Sequence, residues 1–271
     1  MYTRTTYNTE WFFANHPVFT GGDFSAFFPM RSDKAKQSLL DYHVGVGTII
    51  RIRRNLFATV PMGSDPQKFQ VNQFLVAAKL ADDSVISHHS ALAYHGLAQS
   101  VRHTVLFTTK KKDIEEFDFQ DNTYRSVLTK KALVLHGQEN MLVSTVDCQG
   151  LQIKVTANER TLVDCLDRLD LSGGAEEIWR SFEGLTYVNV KKIIDYAVLI
   201  GNAGLIAKVG YYLDTNKDRL MITPKHLHKL QTLRPKSARY MFRSSRTGRL
   251  VKSWNLIVPE SILEKRWEES S

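Results

Sequence analysis

The residues best equipped for chemistry gather between Ser84 and Thr109, in SVISHHSALAYHGLAQSVRHTVLFTT. This stretch holds four of the nine histidines, His88, His89, His95 and His103, within sixteen residues. His88 and His95 lie seven apart, about two helical turns, so both rings fit on one helix face. A pair so placed can begin a metal site. The competing reading packs the rings between helix and sheet, with their nitrogens bonded to backbone. No His-x-x-x-His pair or carboxylate partner follows, and that missing ligand grammar favours packing. Asp164, Asp167 and Asp170, with Glu159 nearby, form a second candidate. Paired carboxylates can hold Mg²⁺ for phosphoryl chemistry. Here arginines interleave with them, and the spacing predicts surface ion pairs, Asp164 with Arg168 across one turn. The chain carries no Gly-Ser-Asp-x-Asp pattern, Walker glycine loop or nucleophile elbow. The expectation is therefore a non-enzyme with no catalytic residue, metal or cofactor. A metal-dependent nuclease built on His88, His95 or Asp164 and Asp167 is the enzymatic alternative.

Basic residues offer a different chemistry, the binding of phosphate. Lys34, Lys36, Gln37 and Ser38 fall on a predicted helix capped by Ser32, types that reach phosphates or base edges from a major groove. Arg51, Arg53, Arg54 and Asn55 fall on and around a predicted hairpin tip, suited to phosphates or a minor groove. The competing reading is a solvated basic hairpin. A second basic region runs from Lys217 to Lys252 and carries a surplus of ten positive charges, against +8 for the whole chain. It includes Lys225, Lys229, Arg234, Lys236, Arg239, Arg243, Arg246 and Arg249. Three readings stay open for it: a second DNA surface, a docking face for an acidic partner, or a solvated face.

The elements that must position these residues follow from caps and breakers. Thr9 to Asn15 is predicted helical around Trp11, Phe12 and Phe13, and Pro17 ends it. Val18 to Thr20 is an extended link. Thr20 caps a helix from Gly21 to Phe28, and Ser32 caps another from Asp33 to His43. Ile50 and Ile52 then share one strand face, with Ile49 and Arg51 on the other. Leu56 to Val60 returns. Three helices and a hairpin in this order predict a winged helix-turn-helix.

Pro61 to Pro66 is a linker by composition, giving domains at 1–62 and 63–271. Beyond it, a helix is predicted over Lys68 to Leu80 and another from Ser87 to a Gly96 terminus. Strands are predicted at Val101–Thr109, Ile114–Phe119, Thr123–Val127, Ala132–Leu135, Leu142–Asp147 and Leu151–Val155. Helices follow at 159–170, capped by Asn158, and at 175–182, 190–200, 203–213 and 224–233, and a last strand precedes a Pro-started helix. The predicted class is α+β: the winged unit, then a larger domain with a mostly antiparallel sheet and a helical layer.

The run VISHHSALAYHGL, followed by VRHTVLFTT, resembles the core of AbiEi-type antitoxins of type IV toxin–antitoxin systems, with their pattern ISHxSALxxHGL…xxxVxVTT. Ile86, Ser87, His88, Ser90, Ala91, Leu92, His95, Gly96, Leu97, Val105, Thr108 and Thr109 carry the match. ERTLVDCLDRLDLSGG resembles the family's ERTLxDCLDRPDLxGG, with Leu169 where proline is frequent. Gly47, Ile49, Arg51, Ile52, Arg53, Arg54, Phe57 and Pro61 loosely follow the family's wing, and Asn55 replaces its turn glycine. The resemblance spans roughly residues 47–215. It implies a DNA-binding antitoxin and autorepressor of its own operon, opposing an AbiEii-like nucleotidyltransferase toxin. A stand-alone regulator, or a partner-binding protein without a toxin, is the alternative.

Composition agrees with a globular protein that meets an anionic partner: 271 residues, 43% hydrophobic, 24% charged, net charge +8. Cys148 and Cys165 form no metal or redox spacing and read as reduced thiols of a cytoplasmic protein. Trp11 to Phe13 is too short for a signal-peptide core, and Ala197 to Leu213 is broken by Gly201, Asn202, Gly204 and Lys208. No membrane partner is expected.

Overall fold

Aromatic crowding organises the first sixty residues. In this computed structural model, which describes residues 9–185, 187–242 and 247–264, Phe12 of α1 (Thr9–Asn15) is fully buried. It meets Phe19 and Phe24 edge-on at 5.0 and 5.2 Å. Phe19 lies on β1 (Val18–Thr20) and Phe24 on α2 (Gly21–Phe27). Thr20 and Asp23 form a reciprocal cap at the start of α2, so two of its orphan N–H groups are satisfied. Ser32 caps α3 (Asp33–Gly45), which buries Leu40 against the same ring cluster. A hairpin of β2 (Ile49–Arg53) and β3 (Leu56–Thr59) follows, and β1 joins it to give the order β1-β3-β2. The predicted extended link at Val18 is therefore a strand, antiparallel to β3, because its two apolar residues complete the sheet.

The sheet is apolar on both faces. Ile49 and Phe57 point to the ring cluster. Val18, Ile52, Leu56 and Ala58 point the other way and share one apolar seam with residues beyond Pro66. Their partners include Val71, Leu75 and Val76, the latter two on α4 (Gln73–Ala78). An ion pair at 2.9 Å joins Asp23 to Lys79 beside the seam. α4 is shorter than the predicted 68–80 helix: Asn72 caps it, and Gln120 holds the preceding backbone through Phe69 O and Val71 N.

The larger sheet has six strands: β4 (Val85–Ile86), β5 (Thr104–Thr109), β6 (Phe117–Phe119), β7 (Asn122–Leu128), β8 (Val143–Cys148) and β9 (Leu151–Thr156). Their order is β6-β7-β5-β4-β9-β8. Three pairings are antiparallel and two, β5 with β7 and β4 with β9, are parallel. α5 (His88–Tyr94) connects β4 to β5. The predicted strand at Ala132–Leu135 is instead a helix, α6 (Lys131–Leu135), with Leu133 inward and Val134 and Leu135 exposed. A four-residue apolar run does not distinguish the two periods.

A helical layer completes the α+β architecture: α7 (Asn158–Asp167), α8 (Ala175–Glu183), α9 (Val190–Ile200), α10 (Ala203–Thr215) and α11 (Pro224–Leu233). A small sheet of β10 (Arg239–Tyr240), β11 (Arg249–Val251) and β12 (Leu256–Val258) precedes α12 (Glu260–Leu263). Fully buried Trp254 joins this sheet to α10, donating to Asp214 at 3.0 Å. A Cβ on Gly210 would fall 2.1 Å from the Trp254 ring. Gly210→Ala should therefore cost about 1–3 kcal/mol in urea unfolding, as overpacked cores do. An unchanged midpoint would show that the indole yields freely. Among the described residues, no helix is long and apolar enough to cross a membrane.

Candidate nucleic-acid interface

α3 and the β2–β3 hairpin border an open cleft of about 570 Å³. Gln37 lines one wall, and Arg51, Arg54 and Asn55 line the other. The hairpin reverses at Arg54 and Asn55, and Asn55 adopts φ +63°, a conformation asparagine tolerates better than most residues. Gly21 lies beneath this turn. Its N–H donates to Asn55 O at 3.1 Å, and a Cβ there would fall 2.1 Å from Asn55 Oδ1.

The predicted contact residues divide by their surroundings. Lys34, Gln37 and Ser38 are exposed on the outer face of α3. Ser32 spends its hydroxyl on Ala35 N. Lys36 folds down beside the inward face, with 11% of its side chain exposed, and pairs with Asp33. Arg51 pairs with Asp41 at 2.8 Å, and Gln37 donates to the same carboxylate. The register shifts between Arg51 and Arg53, and across it the two arginines part. Arg51 turns to α3, whereas Arg53 lies over the Phe117 ring of β6, 4.9 Å from its centroid. Arg54 is exposed at the tip.

The second basic region is partly structural. Arg219 donates to the carbonyls of Phe182, Glu183 and Leu185, closing the end of α8. Lys229 pairs with Asp195, Arg249 with Glu264, and Arg234 donates to Ser253 O. Lys225, Lys236, Arg239 and Lys252 are exposed. Arg243 and Arg246 lie outside the described residues.

The four histidines have four different surroundings. His95 meets Thr156 O at 2.8 Å, His89 lies 3.3 Å from buried Glu177, and His103 is exposed. His88 is buried at φ +53°, its Nδ1 3.0 Å from Ser87 Oγ, and its Nε2 has no protein partner. Ser87 thus bonds the ring and not the helix terminus that its cap position suggested. Among the described residues, no group of three or more His, Cys, Asp or Glu side chains could hold a metal ion.

Asp164 is not the surface carboxylate the sequence suggests. It is buried, and it pairs with Arg160 and Lys130 in place of Arg168, which turns to Asp170. Tyr196 donates to it at 2.9 Å. Arg160 also donates from Nη1 to the carbonyls of Glu139 and Met141. Burial alone would push the Asp164 carboxyl up; Lys130 and Arg160 reverse this and hold it below the ordinary range. Lys130 also bonds Asp167.

Burial pushes His88 down to about 4 from 6.5; nearby Asp164 and Asp167 oppose this, and Lys130 and Arg168 assist it. The unfolded chain then takes up a proton between pH 6.5 and 4 that the folded chain refuses. Stability attributable to His88 is complete above pH 6.5 and falls by roughly 3 kcal/mol as pH drops to 4. His88→Asn, which suits the positive φ, should flatten this part of the urea-midpoint profile between pH 7 and 4.5. A profile parallel to the wild type would exclude His88 as its source.

No family model and no curated protein matches the chain. Among solved structures, it is similar to the crystal structure of the RV2827C protein from Mycobacterium tuberculosis. The TM-score is 0.61 at 11% identity, over 94% of this chain and 90% of that one. The likeness is one of fold.

Proposed function

We infer that residues 9–60 are a winged helix-turn-helix that binds duplex DNA, and that the chain acts as an operator-binding regulator. The carrying observation is the cleft between α3 and the hairpin, lined by Gln37 on one side and by Arg51, Arg54 and Asn55 on the other, with Lys34 and Ser38 exposed elsewhere on α3. Helix side chains of these types suit base edges, and a basic hairpin suits the neighbouring backbone. The element order α1-β1-α2-α3-β2-β3 and the net charge of +8 support the same reading. Titrating the duplex upstream of the chain's own coding region against a scrambled duplex of equal length tests it. Preference for the upstream sequence is expected, and equal affinity for both would reject operator recognition.

The resemblance to AbiEi-type antitoxins extends the proposal to neutralisation of a nucleotidyltransferase-type toxin by the larger α+β part. Co-expression with an adjacent reading frame of that type should relieve growth arrest, and unrelieved arrest leaves only the regulator. A second reading is favoured by exposed Lys225, Lys236, Arg239 and Lys252, which suit an acidic protein partner. Sequence-independent duplex binding, with loss of partner capture on substituting those four, would support it over operator recognition.

A further inference from the structure

The hairpin's two tip arginines have different company. Arg53 rests over Phe117, and Phe117 lies in the most acidic stretch near the hairpin, residues 113–121, DIEEFDFQD. Asp113, Glu115, Glu116, Asp118 and Asp121 are all exposed, and the stretch holds no basic residue. Its strand, β6, is an edge of the six-stranded sheet. It is held in place: Phe117 stacks on buried Tyr124 at 5.1 Å, and Gln120 bonds the backbone at Phe69 and Val71. Glu116 pairs with Arg125, and Asp118 accepts from Thr123. A strip of negative charge thus flanks the Phe117 ring on which the guanidinium of Arg53 rests.

We propose that the 113–121 strip is an intramolecular competitor for DNA at the hairpin. It deepens the duplex-binding reading given above and rests on it. The Phe117 ring offers Arg53 a cation–π contact that it must leave to reach a phosphate, and the carboxylates of the strip add a longer-range attraction to the same guanidinium. The same carboxylates repel the backbone of any duplex approaching that flank. Arg54, on the cleft side, carries no such restraint. The strip weakens attraction to DNA of any sequence, so the helix face decides which duplex is held. Such repulsion against wrong partners is how specificity is commonly gained.

The test uses the full chain carrying D113N, E115Q and D121N, which leaves the Glu116–Arg125 pair intact. A control carries E183Q, D218N and E260Q, the same change of net charge at exposed positions outside the strip. On scrambled duplex at low salt, the strip variant should bind about three- to tenfold tighter than the wild type, and the control should not. The gain should shrink as salt shortens the Debye length from about 30 Å at 0.01 M to about 10 Å at 0.1 M. A second readout needs no DNA. Phenylglyoxal should modify Arg53 more slowly than Arg54 in the wild type, and Phe117→Ala should remove the difference. Equal gains in strip and control variants, or equal modification rates in the wild type, overturn the competitor. If no protein binds any duplex, the DNA-binding reading fails together with the competition, while slow modification of Arg53 still reports its seat on Phe117.

Discussion

Asp164→Ala lowers the stability of this protein by about 3–5 kcal/mol, the expected loss when one partner of a buried ion pair is removed. The loss comes mainly from what stays behind. Arg160 remains buried, still bonded to the carbonyls of Glu139 and Met141 but with its counter-charge gone. Lys130 keeps Asp167, and Tyr196 loses its acceptor. Asp164→Asn should cost nearly as much, since shape is kept while the negative charge is not. A double replacement by apolar residues of similar volume, Arg160→Met with Asp164→Leu, should recover much of the loss, because no charge is then stranded. Arg168→Ala is the contrasting case: its partner Asp170 is exposed, and such pairs contribute at most about 1 kcal/mol. Urea unfolding followed by circular dichroism separates these outcomes. A midpoint for Asp164→Ala as mild as that for Arg168→Ala would mean that water reaches Arg160.

The second large effect concerns salt. Each phosphate neutralised by an arginine adds about 0.9 to the slope of log affinity against log salt. Arg54→Ala should therefore reduce the slope by about 0.9, and the double substitution of Arg53 and Arg54 by about 2. Over a fourfold rise in salt, the affinity of the double variant then falls roughly tenfold less than that of the wild type. Arg53→Ala alone should lower the slope by about the same 0.9 but cost less affinity than Arg54→Ala, because the wild-type Arg53 must first leave its seat on Phe117. Fluorescence anisotropy on one duplex across four salt concentrations gives all three slopes. Unchanged slopes would remove both arginines from the interface.

Much of the first sixty residues was legible because its signals are local. Thr20 and Ser32 cap the helices that follow them, and Asn55 turns the hairpin. β1 was missed because a three-residue strand is recognisable only through its partner, and β3 lies some forty residues on. Ala132–Leu135 was too short for periodicity to separate helix from strand. The exposed basic residues could be read from the chain, but their opponents could not. Asp41 faces Arg51 from ten residues away, and Phe117 faces Arg53 from across the seam. The Asp164 pairing failed for a related reason. Arg160 and Arg168 are both four residues from Asp164, and only tertiary structure decides which turns inward. Arg160 does, because the carbonyls of Glu139 and Met141 await it.

The seam that joins Val18, Ile52, Leu56 and Ala58 to Val71, Leu75 and Val76 has a consequence for how this protein melts. Neither side can leave the other without wetting both, so the two should denature in a single calorimetric transition despite the Pro61–Pro66 stretch between them. A duplex gripping only α3 and the hairpin would then protect amide hydrogens as far away as β5 and β9, and cleavage after Met62 would leave two sticky halves in place of two soluble ones.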